Sequence, residues 1–152
     1  MLRDAEPLGC RERTGPCRHG IPGAGVHEAG FTWSSGRPDN TVGPDETLAR
    51  LRIITAEVGL PGKADFQNGS AAEPEGVAAN VGLAVRTCVA GLSIEAFSGD
   101  PARPLLEVDL AVGCLQSARA AIDASGLAVV FTARSEGLVR DRADIDGLLS
   151  SH

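Results

Sequence analysis

From residue 28 onward, short apolar runs of strand type alternate with longer amphipathic runs of helical type. The helical runs lie at 44–58, from Pro74 and Glu75 onward, and at about 105–124; the strand-like runs lie at 61–66, 91–95 and 127–133. Strands that alternate with helices of this length indicate βα units around a parallel sheet. The predicted fold class is therefore α/β, with the apolar run 127–133 buried on both faces. One more helix is predicted at 144–149.

Residues 1–27 have a different character. Arg, Gly, Pro, Cys and His dominate this segment, and neither a strand period nor a helix period persists for more than a few residues. We therefore predict an irregular, mobile extension at 1–27 and one folded domain at 28–152.

Composition and charge exclude several classes of partner. The 152 residues include 14 Lys and Arg against 20 Asp and Glu, a net charge of −6, so no general affinity for nucleic acid or anionic membranes is expected. With four Phe, one Trp and no Tyr, there is little material for base stacking. No signal-peptide pattern and no membrane-spanning apolar run is visible, which predicts a cytoplasmic location. The four cysteines are widely separated, and no disulfide framework is predicted.

Three successive predicted strands each end in a charged residue: Asp65, Glu95 and Arg134. The carboxyl ends of parallel strands meet on one rim, so these side chains could surround a single ligand site. The carboxylates could hold Mg²⁺ directly or through water, and the guanidinium could bind a carboxylate or phosphate through two hydrogen bonds. The same spacing also fits a purely structural arrangement, in which Asp65 and Glu95 cap the following loops or pair with Arg103 or Arg134. Spacing alone does not decide between the two.

A series of motifs occurs in a fixed order between residues 28 and 146. They are Ala-Asp-Phe-Gln-Asn-Gly at 64–69, Glu-Pro-Glu-Gly-Val-Ala-Ala-Asn at 73–80, Gly-Leu-Ser-Ile-Glu at 91–95, Gly-Asp-Pro-Ala-Arg-Pro-Leu at 99–105 and Thr-Ala-Arg-Ser-Glu at 132–136. Upstream lie Ala-Gly-Phe-Thr-Trp-Ser at 29–34 and Gly-Arg-Pro-Asp at 36–39. Together these motifs resemble the isocitrate lyase/phosphoenolpyruvate mutase superfamily, in its phosphoenolpyruvate phosphonomutase-like branch. By this resemblance, 29–34 is read as the family's second strand and 36–39 as the turn after it.

This resemblance implies a modified (β/α)₈ barrel of the TIM type. It also implies lyase or mutase chemistry that depends on Mg²⁺, or alternatively Mn²⁺, and makes or breaks C–C or P–C bonds of small 2-oxo or 2-hydroxy carboxylates through an enolate. The expected partners are a small carboxylate or phosphonate substrate and further copies of the chain in a homo-oligomer. Asp65 and Glu95 match the family's metal-binding residues. Arg134 matches the arginine for substrate contact and catalysis, and Asp39 matches an acidic residue near the site. Gly30 and Phe31 match the residues whose backbone amides bind the anionic end of the substrate.

Several positions depart from the family pattern. Lys63 stands where a second acidic residue is frequent, two positions before Asp65, and Gln67 and Ala96 replace residues that are commonly acidic in the branch. Glu28 occupies a place where a small hydroxyl residue is usual. The lid signature of true isocitrate lyases is absent, and Cys114 is expected to pack in the core instead. Each departure changes the charge expected near the site.

Length suggests two hypotheses about function. A (β/α)₈ barrel needs about 250 residues, whereas this chain resembles strands two to five, which predicts a partial barrel that is incomplete at both ends. On the first hypothesis the chain is an enzyme that works as an oligomer or as part of a longer protein. On the second it is a truncated, catalytically inactive family member that self-associates or binds a full-length relative. A magnesium titration distinguishes them.

Overall fold

The computed structural model describes residues 24–38, 41–58, 60–100 and 102–135. Helical segments separate the strands throughout these ranges, with two helices between the first strand and the second, which confirms the α/β class. In order they are β1 (Ala24–His27), α1 (Glu28–Ser34), α2 (Pro44–Glu57), β2 (Gly62–Asp65), α3 (Pro74–Val85), β3 (Gly91–Glu95), α4 (Val108–Ser125) and β4 (Val130–Arg134).

The four strands form one parallel sheet in the order β1-β2-β3-β4. Each strand pairs with the next one along the chain, so the strand order never reverses as it does in a doubly wound sheet. Sequential parallel pairing, with helical segments between the strands, is the arrangement of a (β/α)₈ barrel. The described chain is therefore a segment of such a barrel, as predicted.

One face of the sheet packs against the helices. Ala64, Leu92 and Ile94 lie on that face and are at most 1% exposed. The other fully or nearly buried members of this core are Leu48, Leu51, Phe66, Val77, Val81, Ala84, Val85, Val89, Cys114, Ala118, Ile122 and Val129. Because side chains alternate along a strand, residues at the intervening positions face the opposite side of the sheet.

Local sequence explains where the helices begin and end. Pro44 and Pro74 stand in the first turns of α2 and α3, where a missing N–H loses no helical hydrogen bond and the ring presets φ. Gly126 ends α4 in the left-handed conformation, at φ 69°. The predicted helices at 44–58 and from Pro74, and the predicted strands near 61–66 and 91–95, are confirmed.

The longest helix, α4, begins at Val108 rather than near residue 105. Leu105 instead forms an antiparallel bridge with Phe97, and the Leu106 amide donates to the carbonyl of Ala96 at 3.3 Å. These contacts keep the chain extended beside the end of β3, so the helix starts only after them. None of the described helices is long and apolar enough to cross a membrane.

The beginning of the described chain differs from the prediction. Ala24–His27, which we assigned to the irregular extension, is strand β1 and pairs in parallel with β2. Residues 29–34, read as a strand, belong to helix α1. The folded domain therefore includes residues before 28, and the rest of the predicted extension, 1–23, lies outside the described residues.

Strand β4 is less buried than predicted. Val130 is 67% exposed, and no residue of β4 is fully buried. The reason is that β4 is an edge strand of the described sheet, and that Val130 lies on the face opposite the helix-packed core. The predicted helix at 144–149 lies outside the described residues.

The cysteines also differ in part from expectation. Cys114 is free and buried in α4, where it packs in the core as predicted. Cys88 is disulfide-bonded. We predicted no disulfide framework, and the bond at Cys88 was not foreseen.

Candidate active site

Asp65, Glu95 and Arg134 are the last residues of β2, β3 and β4. The strand register pairs Asp65 with Ser93 and Glu95 with Arg134. Residues in register share a face, and so do alternate residues of one strand, which places all three charged side chains on the same face. That face is opposite the helix-packed core. Parallel strand direction thus gathers the predicted site at one end of the sheet.

The three side chains form a single ion cluster. Nη1 of Arg134 lies 2.8 Å from Oδ2 of Asp65 and 2.7 Å from Oε1 of Glu95. The side chains of Asp65 and Glu95 are 16% and 12% exposed, so solvent and salt screen these contacts less than they would at the surface. Arg103, the other cation considered as a partner, lies 4.0 Å from Asp100 instead. One guanidinium nitrogen therefore joins two carboxylates from neighbouring strands.

Ser93 is a site residue that the sequence analysis missed. Its hydroxyl is buried and donates to Oδ1 of Asp65 at 3.1 Å. The two carboxylate oxygens of Asp65 thus have different partners, Ser93 and Arg134, which fixes the orientation of the carboxylate. A signal was available: Ser93 stands two positions before Glu95, on the same face of a strand, and a buried hydroxyl needs a hydrogen-bond partner.

The loop after β2 is fastened to the end of β3. The carbonyl of Gln67 accepts a hydrogen bond from the Glu95 amide at 2.7 Å. Gln67 and Ser70 have φ angles of 44° and 52°, in the left-handed region that is costly for residues with a Cβ. Asn80 of α3 holds this loop by donating to the carbonyls of Gly69 at 2.8 Å and Ser70 at 3.3 Å. Hydrogen bonds from α3 therefore hold this strained loop in place, and we call this contact the brace.

The predicted amide donors lie in a helix rather than in a loop. Gly30 and Phe31 belong to α1, which follows β1 at the end of the sheet where Asp65 lies. In a helix that begins at Glu28, the Phe31 amide pairs with the carbonyl four residues earlier, so of the two predicted donors the Gly30 amide is the one without a helical acceptor. Asp39, the second predicted catalytic residue, lies outside the described residues.

Asp65 and Glu95 have the donor chemistry that a divalent cation requires. Their oxygens lie 2.8 and 2.7 Å from the same Arg134 nitrogen, so both face the position that this guanidinium occupies. Mg²⁺ is commonly held by one or two carboxylates and retains several waters. Within the described ranges, no group of three or more His, Cys, Asp and Glu residues could hold a metal. These two carboxylates therefore fit Mg²⁺ if water or ligand oxygens complete its shell.

A model of the phosphoenolpyruvate phosphomutase family matches residues 17–149, a range that contains every strand and the whole ion cluster. The chain belongs to this family. The resemblance drawn from the motifs is thereby confirmed, and with it membership of the PEP mutase/isocitrate lyase superfamily of lyases and mutases. The match also begins before residue 28, in agreement with the position of β1.

Solved structures of this superfamily share the fold. A protein of Burkholderia cenocepacia J2315 described as a lyase/mutase is 31% identical, with a TM-score of 0.75 over 84% of this chain and 47% of its own. The phosphoenolpyruvate phosphomutase of Streptomyces platensis subsp. rosaceus is 25% identical, with a TM-score of 0.69 over 84% of this chain and 46% of its own. Phosphonopyruvate hydrolase in complex with oxalate and Mg²⁺ is 22% identical, with a TM-score of 0.70 over 83% and 45%.

The chain spans about half the length of these proteins, between 45% and 47%. The search of curated proteins finds no match. The family and the barrel fold are therefore established. The activity of this chain has to be argued from the residues of its own site.

Proposed function

We propose that this chain is a lyase or mutase that binds a small 2-oxo or 2-hydroxy carboxylate, or a related phosphonate, at the cluster of Asp65, Glu95 and Arg134. The observation that carries the proposal is the position of Nη1 of Arg134, 2.8 Å from one carboxylate and 2.7 Å from the other. These groups lie at the carboxyl ends of the strands, which is the end where barrel enzymes bind their substrates.

Arg134 is the proposed group that binds the substrate carboxylate. A guanidinium has five N–H donors in one plane, and this side chain is 38% exposed, so part of it is open to solvent. Its planar geometry suits two parallel hydrogen bonds to a carboxylate. Because Asp65 and Glu95 already hold Nη1, the guanidinium loses little freedom when a ligand binds. The Gly30 amide is the proposed donor to the ligand's second anionic group.

Asp65 and Glu95 are the proposed ligands of Mg²⁺ or Mn²⁺. A bound divalent cation would supply positive charge that stabilises negative charge developing on a substrate oxygen. The hydrogen bond from Ser93 holds Oδ1 of Asp65 and leaves Oδ2 directed into the cluster. The complex of phosphonopyruvate hydrolase with oxalate and Mg²⁺ supports this choice of cation.

Calorimetric titration of Mg²⁺ together with oxalate, a small planar dicarboxylate, tests the proposal. We expect saturable binding that Asp65→Asn weakens by at least tenfold, because the variant loses a charged oxygen donor. Asp123→Asn is the matched control, since Asp123 is 67% exposed and pairs with Arg119 on α4. A folded wild-type protein that binds neither component would refute the proposal. If binding is found, 2-oxo and phosphono acids would then be screened for turnover.

The same cluster also favours a second candidate function, a non-catalytic family member that assembles with itself or with a full-length relative. The observation behind it is that Arg134 already contacts both carboxylates, as it would in a structural ion cluster. On this reading Asp65→Asn lowers thermal stability and changes no ligand affinity. Sedimentation of the pure protein then tests whether it self-associates.

A further inference from the structure

Lys63 is the only lysine in the sequence, and it lies on the site face of the sheet. It precedes Asp65 by two positions in β2, so the two side chains share a face. Its stem leans toward β3: a Cβ built on Gly91 would lie 3.4 Å from Cγ of Lys63. The side chain is exposed, and within the described residues it forms no ion pair. An exposed ammonium group without an ion pair among the described residues thus belongs to the face that carries the cluster.

Lys63 changes the balance of charge on this face. Asp65 and Glu95 carry two negative charges, Arg134 carries one positive charge, and Lys63 brings the described charges to zero. Alternate residues of a strand are about 7 Å apart, and an ammonium on a four-carbon stem can approach closer than that. Gly91, which has no side chain, leaves room for the stem to move.

We propose that Lys63 sets the ligand preference of the site: it weakens the binding of a divalent cation and enables the cluster to bind a dicarboxylate anion without one. The inference rests on the proposed function, since it assumes that Asp65, Glu95 and Arg134 bind ligand. Its physical basis is that one unit of positive charge repels a dication and attracts a dianion at the same place. The two effects therefore have opposite signs.

The opposite signs separate this role from a structural one. If Lys63 only supported the fold of β2, its removal would lower the affinity for both ligands. If it were only a solvated surface charge, its loss would change neither. A charge effect is also screened by salt, so it shrinks as ionic strength rises.

The experiment is calorimetry of wild type, Lys63→Met and Lys63→Arg with two separate probes, Mg²⁺ alone and oxalate in the presence of EDTA. For Lys63→Met we expect Mg²⁺ affinity to rise and oxalate affinity to fall, each on the order of threefold to tenfold, with smaller changes at high salt. Lys63→Arg keeps the charge and should bind both probes as wild type does. Arg52→Met, in α2, is the control for removal of an exposed cation elsewhere.

A direct readout is available because the lysine is unique. Reductive methylation with ¹³C-formaldehyde labels Lys63 and the chain's amino terminus alone, and the Lys63 methyl resonance should shift when oxalate is added. Changes of one sign for both probes, no change for either, or an unmoved Lys63 resonance at saturating oxalate would overturn the role of Lys63 and leave the proposed function standing. Wild-type protein that binds neither probe, alone or together, overturns both.

Discussion

Arg134 reaches across a strand to contact Asp65. Its Nη1 lies 2.8 Å from Oδ2 of Asp65, which is 69 positions earlier in the sequence. The two residues belong to β4 and β2, which are separated in the sheet by β3, and the same nitrogen contacts Glu95 of β3 on the way. One side chain thus links three of the four strands at the end of the sheet that carries the site.

When Arg134 is removed, the free energy of unfolding should come to depend on added cations. In Arg134→Met the two carboxylates lose the cation that contacts both of them, and we expect a loss of about 1–3 kcal/mol in the free energy of unfolding. Mg²⁺ should restore part of that loss in the variant and stabilise wild type less. Urea unfolding with and without Mg²⁺ measures both effects. Arg119→Met, which breaks an exposed pair within α4, should cost less and show no response to Mg²⁺; an equal response in both variants would contradict the prediction.

The Ser93 hydroxyl should contribute to stability and to ligand binding together. Ser93→Ala removes the donor to Oδ1 of Asp65, and we expect a loss of about 1 kcal/mol in the free energy of unfolding. Oxalate affinity should fall too, because the carboxylate beside Arg134 becomes free to rotate. Ser117→Ala in α4 serves as the control. Unchanged oxalate binding in Ser93→Ala would mean that the orientation of Asp65 does not matter for the ligand.

The brace from α3 to the strained loop can be tested with an almost isosteric pair of variants. Asn80→Asp removes the donor to the carbonyls of Gly69 and Ser70, and its carboxylate would face those oxygens, so we expect a loss of about 1–3 kcal/mol in the free energy of unfolding. Asn68→Asp keeps the side-chain oxygen that accepts a hydrogen bond from the Ser70 amide, and this variant should be tolerated. Equal stability of the two variants in chemical denaturation would argue against the brace.

The thiol of Cys114 should make stability depend on alkaline pH. Burial raises the pKa of Cys114 above the usual 9.0, and the charges of Glu73 and Glu75 add to the increase. Above that usual value the thiol ionises in the unfolded chain before it does so in the folded protein, so the free energy of unfolding falls as pH rises. Unfolding measured from about pH 8 to about pH 10 should therefore decline more steeply in wild type than in Cys114→Ala. Parallel pH profiles would show that ionisation of this thiol is not coupled to folding.

The sequence predicted the parts of the molecule that depend on local rules. Pro44 and Pro74 marked helix starts, and the charged residues at 65, 95 and 134 were predicted to meet because parallel strands place their carboxyl ends together. Whether Asp65 and Glu95 would pair with Arg134 or with Arg103 depends on side-chain reach, and no spacing rule supplies that.

The predictions were wrong where tertiary contacts override the local preference of the residues for a helix or a strand. Ala24–His27 contains Ala and Gly, which are poor strand formers, and it becomes a strand because it pairs with β2. Residues 28–34 include Gly, Thr and Trp, which have weak helical preference, and they are nonetheless helical. The role of Ser93 required the register between β2 and β3, which fixes its distance from Asp65.

The bond between the Gln67 carbonyl and the Glu95 amide has an evolutionary consequence. It is made by the main chain on both sides, so the side chain at 67 can change, in size or in charge, without release of the acid at the end of β3. What this bond requires of position 67 is tolerance of a left-handed backbone. Evolution could therefore alter the charge of the side chain at residue 67, near the site, while the backbone position of Glu95 is retained.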